Sequence, residues 1–305
     1  MPEASIILAS IIYGVLYGSV LGIVASGLSI IWGVMKVVNL SHGYWAVVGA
    51  YTTVVLYKYI QPSIDPLLSP YIAFLLGAVF GGFFYYAALH LVIGKVETMT
   101  LKAEMSSLLS TFGFGIAIYG FLFFLIGRGY IGQFESIDWT LGNPPSLEIS
   151  GIAVRKAQLA AAGMATLIIV LVDLFLKRTT LGMAISAVAQ DSRAVSLVGI
   201  DPVRVKLATA VISTGLALMA GALFTVAYPS GINPDLEAKL APLSFVIVVL
   251  GGLGSVIGSY IGGIIIGLTY MLTFGITGSD PLALAVTFIM LIVVLVVKPT
   301  GLFGR

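Results

Sequence analysis

The chain has 305 residues, of which 15 are Lys or Arg and 13 are Asp or Glu, so 9% are charged against roughly 25% in soluble domains. Apolar residues (AVILMFWYC) reach 59% and the mean hydropathy is +1.10. This excludes a water-soluble enzyme, a disordered chain, a collagen and a coiled coil, and leaves a polytopic membrane protein. The absence of Cys removes disulfides, Cys-ligated zinc, iron–sulfur clusters and thiol chemistry, and a net charge of +2 says nothing in favour of a nucleic-acid partner.

A helix crossing roughly 30 Å of hydrocarbon needs about 20 residues, so runs free of Asp, Glu, Lys and Arg mark the spans. They cover residues 4–35, 37–57, 66–94, 105–127, 157–172, 207–234, 240–279 and 281–297. The first run is not a cleaved leader, because it opens with Glu3 and no base and is about twice too long. Within it Ser10, Gly14, Gly18, Gly22 and Ser26 recur every fourth position, a face on which missing side chains let two backbones approach. After Lys36, the stretch Asn39-Leu40-Ser41-His42-Gly43 interrupts the second run. It reads either as a cytoplasmic turn with an Asn or Ser cap or as a break at membrane depth. A break there survives only where it is buried in protein or lines a wet cavity.

The run 240–279 is too long for one span and is interrupted by Gly251-Gly252-Leu253-Gly254-Ser255. It reads as a short helix, a break and a full helix carrying the series Gly254, Gly258, Gly262. Small-residue spacing follows both breaks, a pattern that suits an internal repeat. The expected fold is a single all-α domain over residues 1–305, a polytopic transmembrane helical bundle of about eight or nine crossings with broken or re-entrant segments. A Gly/Pro-bearing loop at 128–156 lies outside and a charged loop at 177–206 lies in the cytoplasm.

The orientation rests on the positive-inside bias. With Lys177, Arg178, Arg193, Arg204 and Lys206 inside, Lys36, Lys95 and Lys102 are inside too. Lys58, Arg128, Arg155, Lys156, Lys239 and the N-terminus are then outside. Lys298 and Arg305 return inside only if the broken segment crosses twice, and the bias vanishes if it crosses once. Asp173, four before Lys177 near a helix end, reads as an interfacial ion pair, and His90 as interfacial. His42 stays a pathway candidate. The sequence holds no chain of buried acids for a proton pump, no Arg ladder for a voltage sensor, no metal cluster and no catalytic set.

In the 177–206 loop the punctuation changes. Thr179 or Thr180 can cap a helix through Gln190, Asp191 can cap a second, and Gly199 sits where a left-handed terminus is expected. Asp201-Pro202 supplies a cap and an N1 proline for the next span. Two short helices with a tight corner suit insertion into a groove on a partner.

The stretch Arg193-Ala194-Val195-Ser196-Leu197-Val198-Gly199 keeps the spacing of the Glu-Ala-Ala-x3-Gly loop of permeases of ATP-binding-cassette importers, with Arg193 and Val195 as departures. The longer string from Arg178 through Ala187-Val188-Ala189-Gln190-Asp191 to Gly199-Ile200-Asp201 resembles branched-chain amino acid permeases of the LivH type. So do Trp32-Gly33-Val34 with Asn39–Gly43, Val249–Gly258 and Lys298-Pro299-Thr300-Gly301-Leu302-Phe303-Gly304. The order fits nearly the whole chain. Leu40 and Ser41 stand where many relatives have Phe and Ala.

The resemblance implies a non-enzymatic permease subunit in a prokaryotic cytoplasmic membrane. Its partners would be a second permease of the LivM type, two cytoplasmic ATPases and an extracytoplasmic solute-binding protein. No Gly-x4-Gly-Lys-Ser/Thr is present: Leu89 and Val96 spoil the match around Gly94-Lys95. ATP and magnesium would therefore be bound by the partners, and this chain would carry no cofactor. Ala187, Gln190, Asp191, Arg193, Ala194, Gly199 and Asp201 would couple to the ATPase. Solute would pass Asn39, Ser41, His42, Gly43, Gly251, Gly252, Gly254 and Ser255, and would be a zwitterion with an aliphatic side chain. Urea, short-chain amides and sugars are the rival substrates, and an ion-coupled amino acid transporter or a channel the rival classes.

Overall fold

The computed structural model describes residues 2–60, 65–94, 99–229 and 231–304. Helix α1 (Pro2–Met35) leads through an irregular segment to α2 (His42–Val54), which continues as a π-helical turn (Val55–Ile60). α3 (Ser69–Phe84) runs through a second π-helical turn (Tyr85–Leu89) into α4 (His90–Ile93), and α5 (Leu101–Gly127) follows. The strands β1 (Ser146–Ile149) and β2 (Ile152–Arg155) form an antiparallel hairpin ahead of α6 (Lys156–Arg178). Then come α7 (Thr180–Gln190), α8 (Ser192–Leu197), α9 (Pro202–Ala227), α10 (Glu237–Gly251), α11 (Val256–Thr277) and α12 (Asp280–Val297).

Seven helices among the described residues are long and apolar enough to cross a membrane: Ala4–Met35, Pro66–Ile93, Leu101–Gly127, Lys156–Arg178, Pro202–Ala227, Val256–Thr277 and Asp280–Val297. That is fewer than the expected eight or nine. The difference lies in α2 and α10, of 13 and 15 residues, which sit largely buried among the long helices. The long run 240–279 does divide into a short helix, a Gly-rich break and a full helix. The 128–156 loop, expected to be irregular, ends in the hairpin. Its Ile152 and Val154 bury against Leu16 and Ala162, and Tyr13 Oη donates to the Ala153 carbonyl at 2.7 Å.

The small-residue face of α1 packs antiparallel on α11. A Cβ added at Gly14 would lie 2.8 Å from Leu268 Cα, and one at Gly22 would lie 2.7 Å from Tyr260 Cδ2; one at Gly18 would strike the Gly263 carbonyl. Ser26 Oγ donates to the Gly22 carbonyl at 2.7 Å and reaches the Val256 carbonyl at 3.1 Å. The series Gly254, Gly258, Gly262 does not share one partner: Gly254 meets Gly33 of α1, whereas Gly258 and Gly262 close on α10. A four-residue step overshoots a 3.6-residue turn by about 40°, so the stripe rotates from one neighbour to the next. The α11 glycines that receive α1 are Gly263, Gly267 and Gly275, the last against Ser10.

The helix ends sort onto two sides. On one, Lys58 Nζ pairs with Glu135 at 2.6 Å, and Glu135 and Ile232 exchange backbone bonds of 2.7 and 3.0 Å. Lys239 Nζ pairs with Asp280 there at 2.9 Å. On the other side, Lys206 Nζ donates to the Ile93 carbonyl at 3.0 Å, and Lys36, Arg193 and Lys206 line one cavity. The segment after Lys298 lies on that second side too: Leu302 and Phe303 N–H donate to the Leu250 and Gly251 carbonyls at 2.8 and 3.1 Å. Lys95 and Arg305, both used in the charge count, lie outside the described residues.

Candidate functional site

The first break is re-entrant. Lys36 holds φ at 54°, a left-handed conformation uncommon in a residue with a Cβ, and the chain turns back alongside α1. Asn39 Oδ1 then accepts from Ser41 N at 3.1 Å and Ser41 Oγ at 2.7 Å, closing a tight turn ahead of α2, whose N-cap Ser41 makes no side-chain cap bond. Thr111 of α5 pins the segment from the other side, accepting from Leu40 N and donating to the Val38 carbonyl, each at 3.3 Å. His42 Nε2 reaches the Val24 carbonyl at 2.8 Å. At 1.5 Å per residue Val24 lies about 16 Å back from the end of α1. The stretch therefore folds back within the length of α1 rather than lying beyond its end.

A cavity of about 570 Å³ opens over this turn. Val38, Asn39, Leu40 and His42 line it from the break, Tyr44 from α2 and Phe112 from α5, and Leu28, Phe245 and Phe288 come from α1, α10 and α12. Glu237, Ala241 and Ser244 complete the α10 side. The lining is mainly apolar with a few polar groups, the usual make-up of a small-molecule site. Because a carbonyl only accepts, His42 carries its proton on Nε2 and leaves Nδ1 as an acceptor. Neither His42 Nδ1 nor Asn39 Nδ2 has a partner among the described residues, although both are buried. Gly43 sits where a Cβ would come within 2.7 Å of Ala241 Cβ and 3.1 Å of Glu237 Cγ, so its missing side chain lets α10 lie on the start of α2.

The structure thus brings Asn39 and His42 to the cavity, whereas Gly43 is packed against Ala241 of α10. Ser41 is fully buried behind them, and Gly251, Gly252, Gly254 and Ser255 do not line it. These last form a closed corner. Gly252 and Gly254 take φ of 101° and 86°, Gly254 N donates to Ser29 Oγ at 3.1 Å, and Ser255 Oγ caps α11 by accepting from Gly258 N at 3.1 Å. Tyr44, Phe112, Glu237, Phe245 and Phe288 were missed by the sequence reading. Glu237 lies between the charge-free runs 207–234 and 240–279, where an acid carries no signal of its own.

The 177–206 loop folds as its punctuation predicts. Thr179 Oγ1 accepts from Gly182 N at 3.0 Å, and Asp191 Oδ1 accepts from Arg193 N and Ala194 N at 2.8 and 3.0 Å. Gly199 has φ of 84°, and Asp201 Oδ1 accepts from Val203 N at 2.9 Å ahead of Pro202. Asp173 and Lys177 pair at 2.8 Å. Ala187, Gln190, Asp191 and Ala194 line one cleft of about 490 Å³ with Leu176, Met183 and Val195. Arg193 instead faces the second cavity with Lys36 and Lys206. Gly199 and Asp201 shape the corner beyond. Leu197 and Val198, 88% and 75% exposed, are apolar side chains held out from that corner.

On the opposite side Glu135 fastens the loop after α5. Burial opposes its charge, but the Lys58 ammonium, the Gly132 N–H and the Tyr59 hydroxyl hold its carboxyl below the usual range.

A family model described as the permease component of branched-chain amino acid transport systems matches residues 10–295. The high-affinity branched-chain amino acid transport system permease protein BraD of Pseudomonas aeruginosa is 28% identical, over 100% of this chain and 98% of its own. Its counterpart LivH of Escherichia coli is 26% identical over 96% and 94%. The inner membrane ABC transporter permease protein YjfF of Escherichia coli is 28% identical over 78% and 67%. No solved structure matches the chain significantly.

Proposed function

Because the chain belongs to the family of permease components of branched-chain amino acid transport systems, we propose that it is the membrane-spanning subunit of an ATP-driven importer for amino acids with aliphatic side chains. It sits in the cytoplasmic membrane of a prokaryote with its N-terminus outside and residues 177–206 in the cytoplasm. It works with ATPase subunits and a solute-binding protein, and with a second permease subunit against the cavity face. The ATPases engage the cleft at Ala187, Gln190, Asp191 and Ala194. The exposed Leu197 and Val198 add apolar area to that contact, and such exposed apolar groups mark docking surfaces.

The observation that carries the solute path is the cavity over the re-entrant turn. Irregular backbone at membrane depth is tolerated where it lines a cavity, and transporters place solute sites at such interrupted helices. Phe112, Phe245 and Phe288 offer an apolar wall, and the few polar groups suit the head of an amino acid. Movement of α7 and α8 by the ATPases reaches the cavity through Lys36 and Met35, which line the second cavity with Val188 to Arg193.

The test is leucine uptake into proteoliposomes holding the chain with its ATPases, second permease and binding protein. Uptake is expected only with ATP inside. With no native Cys, Leu197→Cys is expected to cross-link to a single-Cys ATPase. Uphill leucine accumulation by the chain alone, or labelling of Leu197→Cys from outside only, would overturn the proposal.

A further inference from the structure

We infer that Glu237 binds the ammonium group of the solute and so sets the selectivity of the path; this rests on the reading of the α2–α10 cavity as that path. Glu237 is half-buried and lines the cavity from the first turn of α10. Its charged neighbours are otherwise engaged: Lys239 Nζ pairs with Asp280 at 2.9 Å, and Asp235 Oδ1 accepts from Tyr119 Oη at 2.9 Å. Glu237 has the Tyr44 hydroxyl as a polar neighbour, and no cation lies within ion-pair distance among the described residues. A carboxylate drawn into a mainly apolar cavity is costly unless a positive charge meets it. The described residues supply none, and an amino acid brings one.

The helix dipole favours an acid in the first turn of α10, but Asp235 is already placed to serve it. The dipole does not account for the room made for the Glu237 stem by Gly43, where an added Cβ would sit 3.1 Å from Cγ. An acid with no cation beside it in a mainly apolar cavity is complementary to an ammonium group. It favours a solute that carries one over an anion or over a neutral amide or urea.

The complete transporter in proteoliposomes tests this with leucine as the probe, reading leucine moved per ATP hydrolysed at saturating loaded binding protein. Glu237→Gln is expected to keep binding-protein-stimulated ATP hydrolysis and to lower leucine moved per ATP at least fivefold, with Glu237→Asp restoring most of it. A merely structural role lowers both quantities together. Unchanged leucine per ATP in Glu237→Gln overturns the inference. Should that variant fail to assemble, Ala241→Lys keeps the carboxylate and sets a competing ammonium beside it. Leucine transport is then expected to stop while ATP hydrolysis continues, and normal transport overturns the inference. The underlying reading fails separately: if a bulky thiol reagent on Ala241→Cys leaves uptake unchanged, the cavity is not the path. If the reagent blocks uptake while Glu237→Gln transports normally, the path stands and only the ammonium contact falls.

Discussion

The imidazole Nε2 of His42 donates to the Val24 carbonyl at 2.8 Å, and this contact fixes the level at which α2 begins. Val24 keeps its place within α1, so the second bond comes from outside the helix and clips the re-entrant turn against it. His42→Ala removes the clip at a cost of about 1 kcal/mol. Thermal unfolding in detergent is expected to shift down by a few degrees, while uptake falls much further because the turn lines the cavity. Equal, small losses in both would assign His42 to packing alone.

Gly18 and Gly82 separate close packing from mere composition. Gly18 rests on the Gly263 carbonyl, whereas nothing lies within 4 Å of a Cβ at Gly82. Gly18→Leu must force α1 from α11 and is expected to abolish a monodisperse peak in size-exclusion chromatography. Gly82→Leu is expected to stay within about 0.5 kcal/mol of the parent, as exposed substitutions do.

Gly199 combines open space with φ of 84°. A β-branched side chain fits the space but not the backbone, at a cost of about 1–2 kcal/mol, and the α8–α9 corner relaxes elsewhere. Gly199→Val is therefore expected to leave solute capture by the binding protein intact and to abolish ATP-driven uptake, while Gly199→Asn, tolerant of left-handed φ, transports. Normal uptake by Gly199→Val would break the link between this corner and coupling.

The Lys58–Glu135 pair predicts an acid-sensitive fastening. The Glu135 carboxyl is held below its ordinary pKa of 4.5, so its stabilisation is full above that value and disappears as pH falls through the lower folded value. Glu135→Gln is expected to cost about 1–2 kcal/mol at pH 7, since Lys58 is 37% exposed and partly screened. The difference in melting temperature between the two proteins should close as the pH is lowered below 4.5. A difference that persists at pH 3 would assign the effect to shape.

Much of the fold is legible along the chain because local chemistry decides it. Thr179, Asp191, Gly199 and Asp201-Pro202 cap and turn the loop as their side chains dictate, and the α1 stripe finds a close partner. What stays hidden depends on who the partner is. Spacing by four shows that Gly258 and Gly262 need a near neighbour but not that it is α10. Asn39 announces a turn, yet only the reach of His42 to Val24 shows how deep it lies. The cavity was half legible. Its break carries a local signature, whereas Phe112, Phe288 and Glu237 come from three separate helices and look like any other residue of a membrane segment.

The backbone bonds from Leu302 and Phe303 to Leu250 and Gly251 have a mechanical consequence. Together with the Lys239–Asp280 pair at the far end, they rivet the last three long segments top and bottom into one plate. Such a plate cannot flex internally without giving up one of these bonds, so movement as a unit along its margin with α2 costs less. That margin is where Glu237 faces Tyr44, and a swing of the plate would carry the acid toward or away from the clipped turn.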